Sequence, residues 1–253
     1  MRGLTAMILG AGLLLPAPTL TGQTVADRAA AVSDGKVRMS YAARPGVCGD
    51  GHNVSLSSER RDRDWVDDCE PGPVRVVLRL RDGVVVDIDT HVGGRWLPAD
   101  DRTLDLGTVP AAQAADYLVG VGRRSATAGD DALFAAWLAD SITLWPTFLE
   151  LARDRSLESE TRQMAVFLLG QAASEAATAR LVEIVDEDSG DREVREMAVF
   201  VLSQRPADEA VPALIAIVEE NRDPDVVRSA IFWLGQSGDP RALELFERLL
   251  IGN

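Results

Sequence analysis

Arg162-Gln163-Met164-Ala165-Val166-Phe167-Leu168-Leu169-Gly170-Gln171 is written again as Arg195-Glu196-Met197-Ala198-Val199-Phe200-Val201-Leu202-Ser203-Gln204. A third copy follows as Arg228-Ser229-Ala230-Ile231-Phe232-Trp233-Leu234-Gly235-Gln236. Alanines at 165, 198 and 230 set a spacing of 33 and then 32 residues. Self-similarity at a period of about 20–50 residues marks a stack of small supersecondary units. Each copy carries a continuous apolar run, such as Met164 to Leu169. Such a run is too wide for one amphipathic stripe, so this helix is expected to be buried on most sides. After each copy comes an amphipathic helix, marked by Leu181, Ile184 and Val185, then Leu214, Ile217 and Val218, then Phe246, Leu249 and Leu250. Asp223-Pro224-Asp225 and Asp239-Pro240 are helix starts, an acidic N-cap followed by proline at the first helical position.

The array begins before its clear copies. In Ala132-Leu133-Phe134-Ala135-Ala136-Trp137-Leu138, Ala135 stands where Ala165 does and Trp137 where Phe167 does. Trp145-Pro146-Thr147-Phe148-Leu149-Glu150-Leu151 matches Val211-Pro212-Ala213-Leu214-Ile215-Ala216-Ile217 at the proline and at two apolar positions. The expectation is therefore four helix pairs from about Asp130, inside a helical unit over 108–253, with the Thr108–Val121 helix as its N-terminal cap. The spacing Asp-x-x-Val-Arg-x-x-Ala-x-x-x-Leu-Gly, in Asp191 to Ser203 and with a Phe-Trp variant in Asp223 to Gly235, resembles HEAT repeats. More narrowly it resembles the short HEAT-like repeats first noted in phycobilin lyases, over about residues 130–250. That resemblance implies a mainly α fold, a right-handed α-solenoid. It also implies a protein-binding scaffold in most members and an enzyme or chromophore-processing protein in few.

Residues 27–107 read differently, as a small β-containing domain. Lys36 to Tyr41 alternates apolar and polar like a strand. Ala43 to Pro73 has the glycine, proline and charge content of loops. A hairpin spans 74–92. A two-residue Asp82-Gly83 turn would set Leu78 opposite Asp87 and mix the faces. A three-residue Arg81-Asp82-Gly83 loop pairs Leu80 with Val84, Leu78 with Val86, Val76 with Ile88 and Arg75 with Asp89, and is preferred because register follows the buried face. Arg102 to Asp105 adds a short strand.

Composition sets exclusions. Forty acidic residues against 26 basic ones give a net charge of −14, which argues against nucleic acid and against anionic membrane surfaces. Met1-Arg2-Gly3 and the apolar run Ala6 to Leu15, broken by Pro16 and Pro18, have the layout of a signal peptide over 1–26, with Thr24-Val25-Ala26 the best cleavage match. The expectation is an exported protein, periplasmic or extracellular, with no membrane association after cleavage. Cys48 and Cys69 are then expected to form a disulfide. A Cys48, His52, Cys69, His91 zinc site is the alternative, but its spacing fits no compact zinc motif. No metal, cofactor or catalytic constellation is read.

Three columns recur. Arg162, Arg195 and Arg228 are expected to reach carboxylates of the adjoining repeat, such as Asp191 or Asp223. Gln171, Gln204 and Gln236 are expected to bond loop backbone of the next repeat, with an amide ladder on a binding surface as the alternative. Trp137, Phe167, Phe200 and Phe232 are expected in the core. Trp233, beside that column, is the candidate anchor for a partner. Acidic runs at second-helix ends, Asp186-Glu187-Asp188 and Glu219-Glu220, make a basic protein partner plausible if they face the binding side.

Overall fold

The computed structural model describes residues 23–56, 69–171, 175–187 and 191–251. The apolar N-terminal run behind the export expectation lies outside the described residues. The first described element is α1 (Val25–Ala29), capped by a reciprocal Thr24–Asp27 capping box. Seven strands follow: β1 (Gly35–Tyr41), β2 (Val47–Gly49), β3 (Val54–Leu56), β4 (Glu70–Pro71), β5 (Val74–Arg81), β6 (Val84–His91) and β7 (Thr103–Thr108). They form a four-stranded sheet ordered β6-β5-β1-β7 and a small sheet ordered β3-β2-β4. In the larger sheet β1 runs parallel to β7 and antiparallel to β5.

Alternation decides which face of the larger sheet is dry. Val37, Met39 and Tyr41 of β1 and Val74, Val76, Leu78 and Leu80 of β5 all point inward and are buried. Each such side chain contributes about 1.5–3 kcal/mol by leaving water. The small sheet has no comparable apolar face, and the Cys48–Cys69 disulfide joins its central strand to the residue before β4.

The hairpin register differs from the three-residue loop. The turn is Asp82-Gly83, with φ of 50° and 75°, the two positive values that a two-residue type I′ turn needs. Arg81 pairs with Val84 and Leu80 with Val85, after which a bulge shifts the register so that Arg79 faces Asp87 and Leu78 faces Ile88. The extra residue lets a tight turn coexist with a continuous dry face of Leu80, Val85, Leu78 and Ile88. Val84, expected inside, is 46 % exposed. Arg75 faces His91 rather than Asp89, and the cross-strand ion pair is Arg79–Asp87 at 3.2 Å.

Nine helices complete the described chain: α2 (Ala111–Gly122), α3 (Gly129–Trp137), α4 (Trp145–Arg153), α5 (Ser159–Gly170), α6 (Glu175–Val185), α7 (Arg192–Ser203), α8 (Ala207–Glu220), α9 (Pro224–Ser237) and α10 (Pro240–Ile251). The closest packing pairs α2 with α3, α4 with α5, α6 with α7 and α8 with α9, and leaves α10 against α8 and α9. The expected pairing from α3/α4, with α2 as a cap, is shifted by one helix. First helices stack directly on one another, α3 on α5, α5 on α7 and α7 on α9. Gly170 permits one of these approaches, since a Cβ there would collide with Val201. The sheet and the first pair share a core. Val37, Tyr41, Leu78, Ala114, Leu118, Ala132 and Ala135 belong to one buried cluster. Polar bonds join them too: the buried Tyr41 hydroxyl donates to the Ala135 carbonyl at 2.7 Å, and Ser125 donates to the Val85 carbonyl at 2.7 Å. Burial pushes the Tyr41 phenol far above its ordinary range.

Candidate interaction surface

The N-caps of the first helices build the contact between repeats. Asp191 and Asp223 each precede such a helix, and each accepts from the backbone two residues on, Glu193 N at 3.1 Å and Asp225 N at 2.9 Å. The second oxygen of each carboxylate takes an arginine from the preceding repeat. Arg162 Nη2 reaches Asp191 at 2.5 Å and Arg195 Nη2 reaches Asp223 at 2.5 Å. Both arginines are buried, 8 % exposed each. Hydrogen bonding from Glu193 and then Arg162 holds Asp191 below the ordinary aspartate range. The Asp225 backbone and then Arg195 do the same for Asp223.

Arg228 does not join that ladder. It stands two residues before its alanine, whereas Arg162 and Arg195 stand three before theirs. One residue is about 100° of helix rotation. Arg228 therefore takes the outward position of Gln163 and Glu196, is largely exposed, and pairs with Asp225 of its own helix at 2.7 Å.

The glutamines are also corrected. Gln171, Gln204 and Gln236 are all exposed. Among the described residues none bonds a neighbouring repeat; the Gln204 amide bonds only Ser203, at 3.0 Å. The inter-repeat role belongs to the next residue along, Arg205. It donates to the Gly170 carbonyl at 3.3 Å, to Thr178 at 3.0 Å and to Glu209 at 3.0 Å, so the open carbonyl end of α5 is met by a cation.

The aromatic column is core only in part: Trp137, Phe167 and Phe200 pack against the buried cluster without being fully buried themselves. Phe167 and Phe200 are half-buried, Trp137 is half-buried beneath the Arg44 guanidinium, which lies 4.5 Å from its ring centroid, and Phe232 is 55 % exposed. Met164 and Met197, one turn earlier on the same helix face, are half-buried as well. The apolar run is too wide to bury completely. Ala165, Leu168 and Leu169 face the partner helix and the neighbouring repeats, leaving Met164 and Phe167 at the surface. Trp233 sits in the seam between α7 and α9, 5.2 Å from the Phe200 ring and 5.0 Å from the Phe232 ring. It is mostly spent on joining repeats, and Phe232 is the more available ring.

Spacings of four, seven and eleven residues fall on one face of a helix. Along α5 that face reads Glu160, Met164, Phe167, Gln171, and along α7 it reads Glu193, Met197, Phe200, Gln204. In α9 it reads Asp225, Ser229, Phe232, Gln236. Stacking the helices turns these rows into three parallel tracks: carboxylates, methionines and aromatics, then amides. Glu160 and Glu193 have no ion-pair partner among the described residues. The acids at second-helix ends behave differently. Glu187 pairs with Arg153 at 2.7 Å and Glu219 with Arg248 at 2.6 Å, both across repeats. Asp188 lies outside the described residues.

Stacked helix pairs with repeat-to-repeat ion pairs define this region as an α-solenoid. Residues 145–226 and 187–252 match the family model of HEAT repeats. The helical region from residue 145 onward is a HEAT-repeat array, preceded by a small strand-containing region with its disulfide. No curated protein matches the chain. No described helix is long and apolar enough to cross a membrane.

Proposed function

We propose that this protein is an interaction scaffold whose first-helix face binds an extended, basic polypeptide segment carrying apolar side chains. The observation that carries this reading is the three-track face of α5, α7 and α9. The Met164, Phe167, Met197, Phe200 and Phe232 band offers apolar contact. Glu160 and Glu193, which have no ion-pair partner among the described residues, offer charge complementary to Lys or Arg, and the exposed Gln171, Gln204 and Gln236 amides offer bonds to main chain. Packed helices stand about 8–10 Å apart and an extended chain advances about 3.3 Å per residue. Three residues then span one repeat, and about nine span the face. Charges this exposed act on the rate and selectivity of association more than on affinity, so the methionines and aromatics supply most of the grip.

Export is part of the same proposal, supported by the layout of residues 1–22 and by the disulfide, which persists in oxidising compartments. Cleavage after Ala26 does not suit the fold. Val25 is buried under the capped start of α1, so a cut upstream of Thr24 keeps that anchor.

The test is fluorescence anisotropy of the full chain with a labelled peptide of about nine residues, alternating Arg with Leu, beside an otherwise equal Glu–Leu peptide. The Arg–Leu peptide is expected to bind and the Glu–Leu peptide to fail. Glu160→Arg/Glu193→Arg is expected to weaken binding about tenfold at low salt, less at high salt. Equal binding of both peptides, or an unchanged double variant, rejects the reading.

A further inference from the structure

We propose that a cleft on the open face of the four-stranded sheet is a binding site for a small organic oxyanion, a carboxylate or a phosphate. The sheet has one dry face, so every second residue of its strands points away from the core. On that open side β1 presents Lys36 and Arg38, β5 presents Arg75 and Val77, β6 presents His91 and β7 presents Thr103. The segment after β6 folds back and adds Arg95, Trp96 and Leu97. The open cleft has a volume of about 380 Å³, within the range of about 300–1,000 Å³ usual for small-molecule sites.

Charge balance argues for an anion. Lys36, Arg38, Arg75 and Arg95 line the cleft against two carboxylates, Asp50 and Asp100. Asp50 is committed to main chain, accepting from Asn53 N at 2.7 Å and His52 N at 2.8 Å, and those bonds hold it well below the usual carboxylate range. Asp100 lies 3.8 Å from Lys36. Arg38 is met from outside the cleft by Asp105 at 2.6 Å. Among the described residues Arg75 donates only to the Gly93 and Gly94 carbonyls, at 3.0 and 3.1 Å, and no described carboxylate answers its charge. Arg95 makes no ion pair among the described residues. A chain with a net charge of −14 thus holds a local excess of positive charge, and an oxyanion would satisfy it with charge-assisted bonds.

The site is also built rather than incidental. Arg38 and Arg75 stack on Trp96 at 5.0 and 5.6 Å from the ring centroid. His91 Nδ1 lies 2.7 Å from the Gly51 carbonyl. A carbonyl only accepts, so Nδ1 carries the proton and Nε2 is the ring's remaining polar atom. The wall is two backbones in direct contact. A Cβ on Gly93 would collide with the Gly49 carbonyl, and one on Gly94 would lie 2.6 Å from that of Asp50. Glu70 accepts from Gly94 N at 3.0 Å, and the disulfide fixes the β2–β4 sheet that carries Gly49 and Glu70. A purely structural role accounts for Arg38 and Arg75, which hold the folded-back segment. Among the described residues it leaves Arg95 and His91 Nε2 without a task. Polar groups held in place before binding lower what association must spend on ordering them.

His52 and His91 are the chain's only histidines, and both line the cleft. Histidine-ring NMR of the full chain therefore reports on this site alone. Inorganic phosphate and malonate are titrated separately, with chloride at matched ionic strength as the reference. The expected result is saturable movement of the His91 resonances with at least one probe, and the tighter probe identifies phosphate or carboxylate as the natural chemistry. Lys36→Gln/Arg95→Gln is expected to weaken that binding about tenfold or more while the probe-free ring spectrum stays as in wild type. No movement beyond the chloride reference with either probe overturns the proposal, as does wild-type affinity in the double variant.

Discussion

Asp191→Ala is expected to destabilise the folded chain by about 3 kcal/mol, and Arg162→Met by about 1 kcal/mol or less. The asymmetry follows from what each change leaves behind. Removing Asp191 strands the Arg162 guanidinium, 8 % exposed, without its carboxylate. It also removes the N-cap of α7, which is worth about 1 kcal/mol alone. A fully buried broken pair costs about 3–5 kcal/mol, and the quarter-exposed Asp191 side chain puts this pair at the lower end. Removing Arg162 instead leaves a carboxylate that still caps α7 and meets water. Urea melts of the two variants decide it, and equal losses would contradict the asymmetry. The pH dependence has a fixed sign. Asp191 is held below its ordinary value in the fold, so its contribution is fully present above the unfolded aspartate pKa of about 3.9 and fades as pH falls through the lower folded value. Asp191→Asn is expected to flatten that acid limb.

Cys48→Ser/Cys69→Ser is the second large effect, a loss of about 3 kcal/mol in the chain-entropy treatment of a loop this long. The bridged cysteines are 21 residues apart. Their small sheet offers little else, since β3 and β4 are short and only β2 is buried throughout. The loss is expected to appear in the sheet region more than in the distal repeats, because stability in a stacked array is nearly local. Hydrogen exchange in the double variant should therefore rise across β2, β4 and the Gly93–Gly94 wall and change little in α9. Unchanged exchange in β2 would show that the bridge is not what orders this segment.

The repeating helices were legible, though not which neighbour each packs on, because a period near 33 residues and proline-marked starts are local signals that the fold repeats. The hairpin register was not. A bulge costs one residue and leaves no mark in the alternation of Val84 to His91, so the buried face alone pointed to a longer loop. The columns show a different limit. A residue that recurs between copies shares a position, but position does not say whether a neighbour covers it. Phe167 and Gln171 recur at the surface, while Arg162 and Arg195 recur in the seam. Arg228 only resembles them, and one residue of offset turns it outward. The cleft was the least legible feature. Its side chains come from strands whose spatial order, β6-β5-β1-β7, departs from chain order, and no spacing in the sequence brings Lys36 to His91.

The central claim is that the first-helix face of the array is a binding surface, and the methionine methyl groups test it most directly. Met164 and Met197 sit in the apolar track, whereas Met39 is buried in the sheet and serves as an internal reference. In ¹³C-methyl spectra of the full chain, saturating Arg–Leu peptide is predicted to move Met164 and Met197 together and leave Met39 in place. Binding that leaves both track methionines unmoved would contradict the account and place the interaction surface elsewhere on the protein.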